Sequence, residues 1–165
     1  MSVTYNFKGR VVLITGSSSG IGAGTAILFA KSGADVVVTG LNAKDLSEVA
    51  NQCLKASDNK INVLQVVANV CKEEDIQRLV KSTLDKFGRL DVLVNNAGIA
   101  YTADINDPDY MKNHRTIMQT NVDSVLYLTH LCVEHLAKTK GNVMITSSVS
   151  AIMTVSHMTF PLIEN

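Results

Sequence analysis

The stretch VVLITGSSSGIG, residues 11–22, constrains this chain more than any other. A β-branched apolar run at 11–15 passes without a break into Gly16-Ser17-Ser18-Ser19-Gly20-Ile21-Gly22, and an alanine-rich helical run begins at once. A continuous apolar strand has no in/out alternation, so both of its faces are covered, as in a parallel sheet. Further runs of this kind stand at 34–39, 61–67, 91–94 and 142–146, with helical patterns at 21–32, 43–56, 72–87 and 109–138 between them. Gly33 and Gly88 follow two of these helices, where C-terminal caps belong. The order βαβαβαβαβ, joined by right-handed crossovers, predicts an α/β fold of the Rossmann-like, doubly wound kind with about five parallel strands.

Composition sets the class. At 165 residues, 46 % hydrophobic and 18 % charged, the chain supports one domain with a real core, expected over 1–165. Fifteen basic residues balance fifteen acidic ones without a basic cluster, which argues against nucleic acid or an anionic membrane surface as partner. The start, MSVTYNFKGR, does not read as a signal peptide, and no run approaches the roughly 18 apolar residues of a membrane span. Cys53, Cys71 and Cys132 are odd in number and form no C-x-x-C, the pattern of reduced thiols in a cytoplasmic protein. Cys132 and His135 share a helix face, but two ligands do not make a zinc site, and no metal is expected.

The 109–138 pattern carries two apolar stripes. Val125, Leu128, Cys132 and Leu136 form one; Met118, Val122, Leu126 and Val133 form the other. A helix apolar on two sides is covered on two sides, more than one sheet provides. The second stripe implies a homo-oligomer contact or a further neighbour.

The glycine-rich turn carries the chemistry. Gly16 permits the tight turn, and Gly20 and Gly22 leave no side chain between the backbone and a pyrophosphate. The following helix amino terminus offers open N–H groups and a positive dipole end. Ser17, Ser18 and Ser19 add small hydroxyls for ribose and phosphate oxygens. This pattern predicts a dinucleotide site.

The spacing G-x-x-x-G-x-G in residues 15–22, together with LVNNAG at 93–98, resembles the short-chain dehydrogenase/reductase superfamily over about the first 150 residues. The resemblance implies an NAD(P)-dependent oxidoreductase that transfers hydride between nicotinamide and an alcohol or carbonyl substrate. It implies that Asn95 and Asn96 pin the central sheet, and that the backbone through Ala97 and Gly98 lies under the cofactor, with Ile99 beside the adenosine half. Asn121, in MQTNVDS, matches the helix asparagine that supports a proton-relay water. Asn69, followed by Val70, stands where the family has an aspartate touching the adenine amino group. An amide oxygen accepts that bond as well. At the end of the second strand, VVVTGLNAKD has no acid at Val38, Thr39 or Gly40, and Leu41 stands where NADP-using relatives carry arginine. With Asn42 and Lys44 in reach of a 2′-phosphate, NADP is favoured over NAD.

The carboxyl end departs from the pattern. Ser148, beside Ser147, matches the serine that hydrogen-bonds the substrate carbonyl. The resemblance implies a tyrosine about thirteen residues later and a lysine four beyond it, the acid/base pair of the reaction, with the phenol lowered from about 10 by the lysine charge. That position falls near Pro161; no tyrosine follows Tyr127 and no lysine follows Lys140. His157 reads as a surface residue, and the stretch from about Met153 as a divergent ending. The sequence thus predicts a truncated or divergent member lacking the last two strands and the Tyr/Lys helix, with a bare fifth strand. Its expected function is that oxidoreductase, inactive in this form. The alternative is a non-catalytic dinucleotide-binding or interaction fragment that associates with full-length subunits.

Overall fold

In the computed structural model, which describes residues 5–101 and 104–148, the first strand lies at the centre of the sheet. That strand, β1 (Val11–Ile14), is buried along its whole length. It is followed by α1 (Gly20–Lys31), β2 (Asp35–Gly40), α2 (Ala43–Ala56), β3 (Val63–Val67), α3 (Glu73–Phe87) and β4 (Val92–Asn95). The chain continues through α4 (Tyr110–Met118), a π-helical turn (Gln119–Asp123), α5 (Ser124–Thr139) and β5 (Asn142–Ile145). The sheet order is β3-β2-β1-β4-β5, and every pairing is parallel. The doubly wound prediction holds.

Register decides the two core layers, because successive side chains of a strand point to opposite faces. Leu13 lies opposite Val37 and Leu93, and Val12 opposite Val36 and Val92. Val12, Ile14, Val36, Val38, Val92 and Val94 pack with Ala23, Ala26 and Ala30 of α1 and with Leu46, Val49 and Cys53 of α2. The small alanines let α1 lie close against the sheet. On the other face Val11, Leu13, Val37 and Leu93 meet Ile76, Leu79 and Val80 of α3 and Leu128, Cys132 and Leu136 of α5.

An ion pair fastens the amino ends of the central strands. Asp91 accepts the Val11 N–H at 2.9 Å and both prongs of Arg89, at 2.8 and 2.5 Å. Burial pushes the Asp91 carboxyl up, but the Arg89 guanidinium and the Val11 N–H outweigh it and hold the group below its ordinary value. The Asp91 carbonyl accepts the Asn142 N–H, and a Cβ at Gly141 would sit 2.3 Å from that oxygen, so only glycine lets β5 start there.

The long helix expected over 109–138 runs continuously from 110 to 139 but is not uniform. Its middle forms the π turn, where Thr120 Oγ1 donates to the Thr116 carbonyl and Ser124 Oγ to the Thr120 carbonyl. Hydroxyls that back-bond to the preceding turn loosen a helix, and periodicity does not register the extra residue. The first predicted stripe faces the core through Leu128, Cys132 and Leu136. The second turns outward only in its later part: Leu126 is 65 % exposed and Val133 50 %, while Met118 and Val122 are half-buried. β5 is exposed along its length, with Ile145 at 61 %. The third strand begins at Val63 rather than at residue 61, and Thr15 leaves the β1 ladder although its N–H still reaches the Val94 carbonyl. The 153–165 ending, with His157 and Pro161, lies outside the described residues.

Candidate functional site

A cleft of about 740 Å³ opens at the carboxyl ends of β1 to β4. This is where strand order reverses about β1, since the chain runs outward to β2 and β3 and then crosses back to β4, and such a switch point is where open α/β sheets hold ligands. Ser18, Ser19, Gly20 and Ile21 form one wall, with Gly16 beneath them.

The glycines of that wall divide into two kinds. Gly16 has φ +60°, and a Cβ there would lie 2.8 Å from Ala97 Cα. A Cβ at Gly22 would lie 2.3 Å from the Gly16 carbonyl oxygen. These two are therefore demanded by chain packing against chain. Gly22 was expected beneath a pyrophosphate; it packs against the turn and Asn96 instead. Gly20 has φ +54° and nothing within 4 Å of its Cβ position, and it is one of the residues that line the cleft. Ser19 caps α1 by position but makes no side-chain hydrogen bond to the helix, leaving the first-turn N–H groups without a protein cap.

Ser17 departs from the expected hydroxyl donor for a ligand. It is fully buried, its Oγ donates to the Ile14 carbonyl at 2.8 Å and accepts the Thr39 N–H at 2.9 Å, and it ties the turn to β2. Only Ser18 and Ser19 of the three serines line the cleft.

The end of β4 is joined to the turn through Thr15. Its Oγ1 accepts the N–H of Asn96 and of Ala97, each at 2.9 Å, while Asn96 Nδ2 donates to the carbonyls of Thr15 and Gly16. Asn95 is buried and donates to Thr129 Oγ1 on α5 at 3.1 Å; it pins the sheet and does not line the cleft. Ala97, Gly98 and Ile99 do. Asn121, in the π turn, holds both backbone groups of Ile99: Nδ2 donates to the carbonyl and Oδ1 accepts the N–H, each at 2.9 Å. It shapes the loop from behind and is not on the cleft wall, whereas its neighbour Thr120 is.

Beyond β3, Asn69 and Val70 line the cleft. Asn69 Oδ1 accepts the Cys71 N–H at 2.9 Å, and the Asn69 N–H donates to Asp75, whose carboxyl is held below its ordinary value by that bond and by Arg78. Cys71 also lines the cleft, and its Sγ lies 3.1 Å from Thr120 Oγ1. The Thr120 proton already goes to Thr116, so the thiol is the donor.

Beyond β2, Leu41 stands 72 % exposed on the rim, and Asn42 caps α2 by accepting the N–H groups of Lys44 and Asp45. Lys44 is not on the wall, but Asp45 is. Sequence reasoning missed this carboxylate. An acid three residues after an N-cap is a first-turn signal, and it could have been read. Thr39, Cys71, Thr120 and Thr146 are further wall residues that sequence reasoning did not single out as cleft residues. Ser147 and Ser148 are exposed beyond β5 and do not line the cleft.

Known proteins share this arrangement. A family model described as short chain dehydrogenase matches residues 10–160. The 11-beta-hydroxysteroid dehydrogenase-like 4A of Arabidopsis thaliana is 39 % identical over 141 residues, 86 % of this chain and 46 % of that protein. The glucose dehydrogenase of Caenorhabditis elegans, solved in its apo form, is 40 % identical with a TM-score of 0.77, over 87 % of this chain and 56 % of the other. A 7α-hydroxysteroid dehydrogenase complexed with NADH and 7-oxo glycochenodeoxycholic acid is 28 % identical, with a TM-score of 0.88 over 96 % of this chain and 60 % of its own. The chain spans about half the length of the curated relatives it matches. With a turn, sheet order and cleft of this kind, and a family model matched along almost all of its length, the chain belongs to the short-chain dehydrogenase family.

Proposed function

We propose that the cleft binds a nicotinamide dinucleotide, and that the protein of which these residues form the cofactor half is an NAD(P)-dependent oxidoreductase acting on an alcohol or carbonyl substrate. The observation that carries this reading is the open wall at Gly20 beside the uncapped first turn of α1. A phosphate seated there meets N–H groups and the positive end of a helix, with no side chain in the way. Ser18, Ser19 and Ile21 flank it. The backbone of Ala97 and Gly98 supports the dinucleotide from below, and Asn69, Val70 and Leu41 border its adenosine. When bound, the nicotinamide ring supplies or accepts the hydride. Ser148 is the group proposed to hold the substrate oxygen, and Asn121 to support the loop and a relay water.

NADP is the preferred cofactor in this reading, because no carboxylate ends β2 and Asn42, which lines the cleft there, is neutral. Asp45 opposes that preference without abolishing it. The free thiols of Cys53, Cys71 and Cys132 favour a cytoplasmic setting, and no helix among the described residues is long and apolar enough to cross a membrane.

Exposed Leu126 and Val133 on α5, with exposed β5, support association with a second subunit. A monomer by light scattering at tens of micromolar would count against that part.

Binding and turnover separate the readings of the site. Because these 165 residues hold no tyrosine after Tyr127 and no lysine after Lys140, the polypeptide should bind NADPH without oxidising it in the presence of carbonyl substrates. Sustained NADPH consumption by the purified polypeptide would show that another residue serves as acid/base. Absence of any binding would remove the proposal.

A further inference from the structure

We propose that Gln119 is a positioning residue of the cleft, which fixes the loop after β3 for a bound dinucleotide by holding the Cys71 carbonyl; this rests on the reading of the cleft as a dinucleotide site. Gln119 is exposed and does not itself line the cleft. Its Nε2 donates to the Cys71 carbonyl at 3.1 Å, and Cys71 does line it. The next residue, Thr120, takes the Cys71 thiol at 3.1 Å, and Asn69 Oδ1 takes the Cys71 N–H at 2.9 Å. Every polar group of Cys71 is engaged, two of the three by consecutive residues of the π turn.

β3 is an outer strand of the sheet, so the loop that leaves it has no strand beyond it for support. It is tied at its start by α3, where Asp75 accepts the Asn69 N–H and Arg78 donates to the Val67 carbonyl, each at 2.8 Å. At its end the tie is the π turn. Val70, on the cleft wall, hangs between the two. Through Asn121 the same turn holds both backbone groups of Ile99 in the loop after β4. Three consecutive side chains, Gln119, Thr120 and Asn121, therefore set one cleft loop relative to the other. An inserted helical residue of this kind recurs at functional positions, and here the turn that carries it joins two walls of the cleft.

The energetics separate positioning from packing. A short loop without this tie samples several backbone states, and a ligand that needs one of them must order it on binding. The Gln119 bond itself is exposed, and both of its groups find water when it is lost, so it adds little to global stability. Its effect is concentrated in the loop it holds. Removing it should free Cys71 and weaken the ligand while the fold melts as before.

The test compares the wild type with Gln119→Met, which keeps length and helix propensity but donates no hydrogen bond, and with Thr120→Val and Thr120→Ser. Iodoacetamide labelling of each cysteine is followed by mass spectrometry without ligand, and NADPH affinity and melting temperature are measured alongside. Cys53 and Cys132 are buried, so labelling of the folded protein reads Cys71. Gln119→Met is expected to label at Cys71 at least about threefold faster and to bind NADPH about two- to tenfold more weakly. It should melt within about 2 °C of the wild type. Thr120→Val should also speed labelling at Cys71, and Thr120→Ser, which keeps the acceptor, should label at the wild-type rate. Unchanged labelling in Gln119→Met, or faster labelling with unchanged NADPH affinity, would overturn the proposal. So would faster labelling of all three cysteines with a lower melting temperature, since that pattern marks general loosening. If the wild type bound no NADPH, the dinucleotide reading would fall and the proposed role with it, a failure the ligand-free labelling keeps distinct from failure of the clamp.

Discussion

Asn121 grips Ile99 by the backbone, its carboxamide donating to the carbonyl and accepting the N–H, each at 2.9 Å. The π turn that carries Asn121 thus fixes the loop leaving β4, and that loop forms one side of the cleft. Asn121→Leu leaves both Ile99 groups unpaired. We expect a loss of about 1–3 kcal/mol in urea unfolding, faster hydrogen exchange at the Ile99 amide and weaker NADPH binding. An unchanged exchange rate at Ile99 would disprove the clamp.

Gly22 should be less tolerant than Gly20. A methyl group at Gly22 runs into the Gly16 carbonyl, which is backbone and has little room to yield. At Gly20 the space is open and the cost is the left-handed φ, about 1–2 kcal/mol. Gly22→Ala is therefore predicted to destabilise the fold more than Gly20→Ala in parallel thermal melts. The reverse order would refute the packing argument.

The layout of the sheet was legible in the chain because its strands are uninterrupted apolar runs, and Val11–Ile14 and Val92–Asn95 stand close to where those runs predict. The π turn inside the 109–138 helix was not legible. Thr120 and Ser124 look like ordinary polar positions until their hydroxyls are seen on the preceding carbonyls. At the site, Gly16, Gly20 and Gly22 were identifiable as a set, but which glycine faces a ligand depends on where Ala97 and Asn96 arrive from another strand. Ser17 was misjudged for the same reason. Direction of a side chain is set by tertiary neighbours, and spacing carries no record of them.

The Arg89–Asp91 pair predicts an acid-sensitive fold. A carboxyl whose folded value is depressed contributes its full stability above the unfolded value, and the contribution disappears as pH falls through the folded value. Stability should therefore decline below about pH 4 more steeply in the wild type than in Asp91→Asn. At neutral pH that variant should be less stable by about 2–3 kcal/mol. This is less than the roughly 3–5 kcal/mol for a fully buried pair, because Arg89 is half-exposed and keeps its hydration. Parallel acid-unfolding curves for the two proteins would contradict the assignment.

In the proposed reading, cofactor choice turns on the end of β2 and the first turn of α2. Asp45 stands on the cleft wall, and its charge disfavours a 2′-phosphate. Asp45→Asn is expected to raise the ratio of NADPH to NADH affinity several-fold, and Leu41→Asp to shift the preference to NADH. The two ratios are obtained by calorimetry at a single ionic strength, since both effects are screened by salt. A ratio unmoved by either change would place the adenosine ribose elsewhere.

The central claim is that the open backbone at Gly20 receives the dinucleotide phosphates, and the direct measurement is a calorimetric titration of NADPH into the wild type and Gly20→Val. The wild type is predicted to bind saturably at one site, more weakly than nanomolar. Gly20→Val, folded by its melting curve, is predicted to bind at least about tenfold more weakly, because its side chain occupies the space a phosphate needs. No binding by the wild type, or equal affinity in the two proteins, would contradict the account.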